Sequence, residues 1–473
     1  MRKTKIVCTL GPATSSKEQV LALIEAGMDC ARLNFSHGSH EDHRRIFETV
    51  REAADLAGRP VAILQDLQGP KIRTGEMHDG AVSLEAGAET VVTTKAIEGT
   101  AEAFATDYEG LPGDVSPGDT ILLDDGLLAL RVLSAKGDEV RCRVVVGGTL
   151  RSRKGINLPG SRVSATAPTP KDLEDLDFGC SLGVDFVALS FVQEAGDIRR
   201  LRRRLEEVGC PEKPIIAKIE RPQAVESLET IAALCEGLMV ARGDLGVEMP
   251  AERVPGIQKT AIELANSRGK LVIIATQMLD SMIRAPRPTR AEVSDVANAV
   301  LDGADALMLS GETAVGTYPL EAAATMSSII SEVERSPRFE AGLSRAFLEQ
   351  MPAFPNAAAR AAVHAAMDLK LTTIAAFTDS GRTAQLISAY RPREGVVAFS
   401  PIPETRRKLA AYWGVSPEPI ARFDSTDEMF SAVSEDLVER GICRNGEAIV
   451  IVAGVPPNQG RPTNLVKLHL VGS

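Results

Sequence analysis

The 473-residue chain is predicted to be an α/β protein: a (β/α)8 TIM barrel with a β-barrel lid domain inserted in it and a C-terminal α/β domain after it. Three observations predict this. Short apolar segments of strand length alternate with longer amphipathic ones, the mark of parallel β/α units. The alternation is interrupted once, over about 71–165, by closely spaced glycine turns and short apolar runs such as TILLD and VRCRVVV. A second α/β series follows residue 337. Single cores stop growing at roughly 250–300 residues, so two or three domains are expected at this length.

The candidate barrel strands are 4–10 (TKIVCTL), 28–35 (MDCARLNF), 61–67 (VAILQDL), 184–191 (VDFVALSF), 214–220 (PIIAKIE), 237–242 (GLMVAR), 270–276 (KLVIIAT) and 304–310 (ADALMLS). Segments such as SKEQVLALIEAG, ESLETIAALC and TRAEVSDVANAVLDG carry apolar residues at three-to-four spacing and read as the connecting helices. Eight such units close into a barrel; an open doubly wound sheet is the alternative. The barrel is assigned 1–70 and 166–337, the inserted lid 71–165 and the last domain 338–473.

Composition narrows the class. With 44% hydrophobic and 25% charged residues the chain is an ordinary globular protein, and no apolar run reaches the roughly 18 residues of a membrane span. A net charge of −11 argues against a general nucleic-acid binder but leaves room for a local cationic pocket. The start, MRKTKIVCTLGPATSS, reads as a first strand and not a secretory signal. Seven scattered cysteines with no C-x-x-C pair argue against a disulfide framework or zinc site, and a cytoplasmic location is expected.

Catalytic groups of a β/α barrel gather at the C-terminal ends of its strands. Reactive residues fall there: Arg32, Asn34, Ser36 and His37 after the second strand, Asp66 on the third, Lys218 and Glu220 on the fifth, Gly243 and Asp244 after the sixth, Thr276 on the seventh, and Ser310-Gly311-Glu312 on the eighth. Lys218 and Glu220 are two apart, so both face one side of their strand. Alone, a K-x-E pair is more often a structural ion pair. Here Asp244 ends the next strand, and two carboxylates without histidine or cysteine suit Mg²⁺ or Mn²⁺. Backbone N–H groups at Gly243 and Asp244 are candidates for a substrate carboxylate. Arg32, Arg73 and Lys154 add the positive charge that phosphoryl transfer between anions demands. The H-x-x-H-x-x-H run of residues 37, 40 and 43 is discounted as a metal site, and Trp413, Met278 and Met282 read as packing.

The motifs NFSHG, LQGPKIRTG, KGINLPG, AKIE, MVARGDLGVE, IIATQMLDSM and MLSGETAVGTYP occur in this order. Together they resemble the pyruvate kinase family, over the chain from Lys3 to the C-terminal TNLVK. The resemblance implies phosphoryl transfer from phosphoenolpyruvate to ADP, giving pyruvate and ATP, with Mg²⁺ or Mn²⁺. It implies catalytic roles for Lys218, Thr276 and Arg73, and substrate contacts from Arg32, Lys218, Gly243, Asp244 and Thr276. Nucleotide contacts would come from Asn34, His37, Arg73 and Lys154, metal ligation from Glu220 and Asp244. Many members hold K⁺ through residues matching Asn34, Ser36, Asp66 and the Leu67 carbonyl, with a glutamate where this chain has Lys71. An ammonium there would make K⁺ dispensable. The segment Thr378-Asp379-Ser380-Gly381-Arg382-Thr383 resembles the family's sugar-phosphate effector loop, with Asp379 in place of a frequent lysine, so a phosphorylated effector other than fructose bisphosphate is expected. A homotetramer is implied as well, with neither nucleic acid nor membrane as partner. Two other readings stay open on the residues alone. A metal-dependent aldolase or lyase would need no inserted lid, Arg73 or Lys154; a silent scaffold would be free to lose Lys218, Glu220 or Asp244.

Overall fold

The structure, a computed structural model, describes residues 2–161, 163–343, 353–457, 459 and 461–472. The eight expected strands are present as Lys5–Thr9, Cys30–Asn34, Ala62–Asp66, Phe186–Leu189, Ile215–Ile219, Gly237–Ala241, Leu271–Ala275 and Ala306–Leu309. They follow one another around a closed barrel, and the first pairs in parallel with the eighth. The open-sheet alternative is thereby excluded.

The strands are short apolar runs buried almost throughout, as parallel strands covered on both faces must be. Their side chains alternate between two environments. Val7, Leu64, Phe186, Ile216 and Met239 fill the barrel interior. Ile6, Ile63, Val187, Ala217 and Val240 instead pack under the helices. The helices start on side-chain caps: Ser16, Thr169 and Thr289 each accept a hydrogen bond from the backbone N–H three residues on, with a reciprocal bond closing each box.

Between the third and fourth strands the chain leaves the barrel and builds a six-stranded and a two-stranded sheet. Strand Glu139–Val146 alternates exposed and buried positions for most of its length, and the buried set joins Val92, Phe104, Ile121 and Leu130 in a separate core. This insert docks beside the barrel mouth, where the Asn157 side-chain amide donates to Glu248 Oε1 at 2.9 Å. Both residues are buried.

The last domain is a five-stranded sheet in the order Val415–Pro419, Val396–Ser400, Ile374–Phe377, Ala448–Ala453 and Leu465–Leu470, the final strand antiparallel. It packs against the opposite, N-terminal end of the barrel. Lys5 Nζ donates to Val415 O at 2.8 Å, Arg391 pairs with Asp305 at 2.9 Å, and Arg407 reaches Asp185 at 3.3 Å. Trp413 fills this seam beneath the Arg391 guanidinium, which lies 4.8 Å from its ring centre. Trp413, Met278 and Met282 are all buried, as packing residues should be.

Candidate active site

The site grows out of the strand alternation. On the fourth strand Phe186 and Ala188 point into the barrel and Ser190 continues the series just past its end; on the fifth, Ile216, Lys218 and Glu220 do the same. These positions meet Arg32 and Asp66 from the second and third strands. Asp66 Oδ2 accepts from Arg32 Nε at 2.6 Å, while its Oδ1 lies 3.2 Å from Lys218 Nζ and accepts the Ser190 hydroxyl at 3.2 Å. Lys218 Nζ donates to Ser190 Oγ at 2.8 Å and lies 2.9 Å from Glu220 Oε1. Arg32 also donates to Thr9 Oγ1 at 3.0 Å.

The charges set one another's protonation. Burial penalises the Lys218 ammonium, but Asp66 and Glu220 beside it outweigh that cost and hold its pKa above the ordinary lysine value. Burial likewise works against the Asp66 carboxylate, and there Lys218 and Arg32 win, pulling it below the usual range. Glu220 goes the other way: burial, helped by the Asp244 charge, raises its pKa despite Lys218. Its Oε2 accepts the Phe191 backbone N–H at 2.8 Å. Its Oε1 is near Lys218 yet takes no hydrogen bond of acceptable geometry.

That oxygen, with the Lys218 ammonium at 2.9 Å but no well-aligned hydrogen bond, is the test of metal fit. A fully buried carboxylate with an unused lone pair, destabilised by a second carboxylate, is a site that gains from a cation. Asp244 enters on the helix Arg242–Glu248, which begins directly after the sixth strand. Among the described residues there is no group of three or more histidine, cysteine, aspartate or glutamate side chains set for a metal. Glu220 and Asp244, two carboxylates whose charges act on each other, have the donor chemistry that suits a hard divalent ion such as Mg²⁺.

Thr276 and Gly243 sit together. The Gly243 N–H donates to Thr276 Oγ1 at 2.7 Å, and that hydroxyl donates to Ala275 O at 2.6 Å. The Gly243 N–H, a candidate for a substrate carboxylate, is thus paired with the Thr276 hydroxyl in this structure. Thr276 and Gln277 have φ of 70° and 56°. A β-branched residue in that region is strained and persists only where its surroundings hold it.

The remaining predicted residues separate into near and far. Lys71, Arg73 and Arg32 all act on His37: burial first, then these cations, lower its pKa, so the ring is neutral at pH 7. Asn34 Oδ1 accepts the Ser36 N–H at 3.2 Å, and the Leu67 N–H donates to Ala188 O at 3.0 Å. Lys71 lies 4.0 Å from Asp244, its one ion pair among the described residues, and Asp66 is already engaged by Arg32, Lys218 and Ser190. Lys154 is held on the insert by Asp124 at 2.9 Å, and Arg73 Nη1 donates to Arg153 O at 3.3 Å. In Ser310-Gly311-Glu312, buried Glu312 accepts the Ser310 and Leu279 N–H groups and ties two loops together. The three histidines diverge, His43 stacking on Phe35 at 3.9 Å and His40 on Phe178 at 4.2 Å.

Sequence reasoning missed Ser190, Thr9 and the Phe191 N–H. Ser190 was legible: it continues the inward alternation of 186 and 188, one step past the strand. Thr9 and a backbone donor carry no such signal.

In the last domain, the loop after Ile374–Phe377 stands where the strand order reverses, since that strand lies between Val396–Ser400 and Ala448–Ala453. Open α/β sheets bind ligands at such switch points. Thr378 Oγ1 accepts the Gly381 N–H at 3.0 Å, Ser380 Oγ accepts the Arg382 N–H at 3.4 Å, and Gly381 has φ of 88°. Thr383 shares a hydrogen bond with Thr463 at 2.7 Å, and Asp379 lies 3.6 Å from Arg422.

Two family models match the chain: pyruvate kinase, barrel domain, over residues 1–323, and pyruvate kinase, alpha/beta domain, over residues 356–469. The chain belongs to the pyruvate kinase family. Pyruvate kinases of Staphylococcus aureus strains MRSA252 and USA300 are each 47% identical over 474 aligned residues, covering 100% of this chain and 81% of theirs. The crystal structure of a pyruvate kinase from Cryptosporidium parvum superposes with a TM-score of 0.91 at 37% identity, covering 99% of this chain and 96% of that one. The chain is thus a phosphotransferase of glycolysis on the family's barrel fold. No helix among the described residues is long and apolar enough to cross a membrane.

Proposed function

We propose that the barrel mouth transfers the phosphoryl group of phosphoenolpyruvate to ADP, with Lys218, Glu220 and Asp244 at its centre. The observation that carries this reading is the buried Glu220 Oε1 without a hydrogen bond, set 2.9 Å from a lysine that Asp66 and Glu220 keep charged. Lys218 and Arg32 meet the oxygens of the group in transit, where negative charge spreads over three oxygens and positioned cations lower the barrier. Glu220 and Asp244 would hold Mg²⁺ or Mn²⁺, which supplies charge neutralisation of phosphoryl and enolate oxygens. The Thr276 hydroxyl, already oriented by Gly243, stands where the enolate accepts its proton, through water. Gly243 and Asp244 hold the substrate carboxylate once the Thr276 hydroxyl shares or yields the Gly243 N–H.

Asn34, His37, Arg73 and Lys154 receive the nucleotide phosphates. The insert, residues 71–165, acts as the lid: its closure on ADP moves Lys154 from Asp124 to the phosphates and excludes water that would hydrolyse the group. Residues 1–70 and 166–337 form the catalytic domain, and 338–473 a regulatory domain whose loop Thr378–Thr383 takes a phosphorylated effector. Lys71 supplies beside Asp244 the charge that K⁺ supplies in relatives, so K⁺ is dispensable. The working assembly is a homotetramer in a reducing cytoplasm, consistent with seven free cysteines.

The test is a coupled assay of pyruvate formation from phosphoenolpyruvate with and without ADP, in Mg²⁺, Mn²⁺ and chelator. Turnover should need both ADP and divalent ion. Pyruvate released without ADP would establish a lyase instead, and no turnover with either metal a silent scaffold.

A further inference from the structure

A cavity of about 890 Å³ lies on the side of the barrel away from the site, between the N-terminal ends of the third to fifth strands and the C-terminal domain helix Pro403–Leu409. Its wall carries six cations, drawn from both domains, and four carboxylates, Asp55, Asp185, Glu212 and Glu404. Not all of the cations are free. Arg51 is bound to Asp185 at 2.8 Å, and Arg407 to Asp185 at 3.3 Å and Glu404 at 3.1 Å. Asp185 thereby has both oxygens engaged.

Arg59 pairs with Asp29 at 3.7 Å, which leaves three wall cations with no carboxylate partner within 4.0 Å among the described residues. Lys213 donates to the Val184 carbonyl and Arg406 to the Ser400 carbonyl at 2.7 Å. The Lys408 ammonium has no hydrogen bond or ion pair among the described residues. Burial first, then the Lys213 charge, lowers the Lys408 pKa, against the pull of Asp185, Glu212 and Glu404. Cations at a helix C-terminus are favoured by the helix dipole, which accounts for Arg406 and Lys408 on their own helix. It does not account for Lys213, brought to the same cavity by the barrel.

We propose that this inter-domain cavity binds a phosphorylated small molecule, whose phosphate is held by Lys213, Arg406 and Lys408. The volume is that of a site for an organic ligand, larger than a lone inorganic ion requires. A ligand held by Lys213 on one side and Arg406 and Lys408 on the other braces the C-terminal domain against the barrel. The cavity is separate from the Thr378–Thr383 loop, and its assignment does not depend on the reaction at the barrel mouth.

The experiment is calorimetric titration of the full chain, without divalent ion, with ribose 5-phosphate, inorganic phosphate and ribose. The unmodified chain should bind ribose 5-phosphate and not ribose; inorganic phosphate displacing it with equal affinity would assign the site to the free ion. The double variant Lys213→Gln, Lys408→Gln should bind about tenfold or more weakly, in keeping with the loss of charge-assisted hydrogen bonds. Lys213→Arg with Lys408→Arg should keep the affinity, which separates charge from folding; all titrations are repeated in an Arg382→Ala background, which separates this cavity from the Thr378–Thr383 loop. No binding in that background, or an undiminished affinity in its glutamine variant, overturns the proposal.

Discussion

At the scale of single residues, the site is a chain of mutual charge control. His37 shows its sign most simply. Its pKa is lowered by burial and by Arg73, Lys71 and Arg32, so as pH falls through the ordinary histidine value near 6.5 the unfolded chain takes a proton that the folded chain refuses. Stability contributed by this group therefore falls as pH drops below about 6.5. Arg73→Ala removes one of the cations and should raise the His37 pKa, read from its imidazole NMR signals against pH; an unmoved titration contradicts the electrostatic account. Lys71 tests the proposed replacement of K⁺ by an ammonium group. The unmodified enzyme should turn over in K⁺-free buffer, and Lys71→Glu should become K⁺-dependent; strict K⁺ dependence of the unmodified enzyme removes the substitution idea.

Most of these residues were legible because strand alternation and strand ends are written in sequence: Lys218, Glu220, Asp66 and Arg32 fall where a period of two and the barrel rule place them. What was not legible is who touches whom. That the Gly243 N–H goes to Thr276, that Lys71 leans toward Asp244, and that Glu312 is a loop tie follow from loop geometry, which no periodicity encodes.

At the scale of elements, the insert and the helix Arg242–Glu248 are coupled. Asn157 on the insert donates to Glu248 at the end of the helix that carries Asp244, with both partners buried. Asn157→Ala leaves a buried carboxylate short of a donor, a loss of about 1–3 kcal/mol. It should lower the melting temperature and raise KM for ADP more than for phosphoenolpyruvate. Equal effects on both substrates would mean that the contact is structural only. Eight strands and a turn-rich interruption were enough to anticipate barrel and insert, because both rest on periodicity and turn chemistry; how the insert leans on the barrel depends on single side-chain contacts.

At the scale of the whole molecule, the active site and the C-terminal domain occupy opposite ends of one barrel. Of the ion pairs across the seam among the described residues, Arg391 with Asp305 is the most enclosed. Breaking a buried pair by removing one partner costs about 3–5 kcal/mol because the other charge is left alone. Arg391→Ala should therefore loosen the domain, seen as faster amide exchange in Ile374–Phe377 with the barrel strands unchanged. Uniform exchange would place the coupling elsewhere.

In the proposed mechanism Lys218 stabilises the phosphoryl group in flight while Glu220 and Asp244 hold the metal. The most direct measurement is single-turnover ATP formation by Lys218→Met, with Mn²⁺ affinity measured on the same sample. The expected result is a rate lower by about 10²–10³-fold with Mn²⁺ binding largely retained. ATP formation by this variant at the unmodified rate would rule out that role for Lys218.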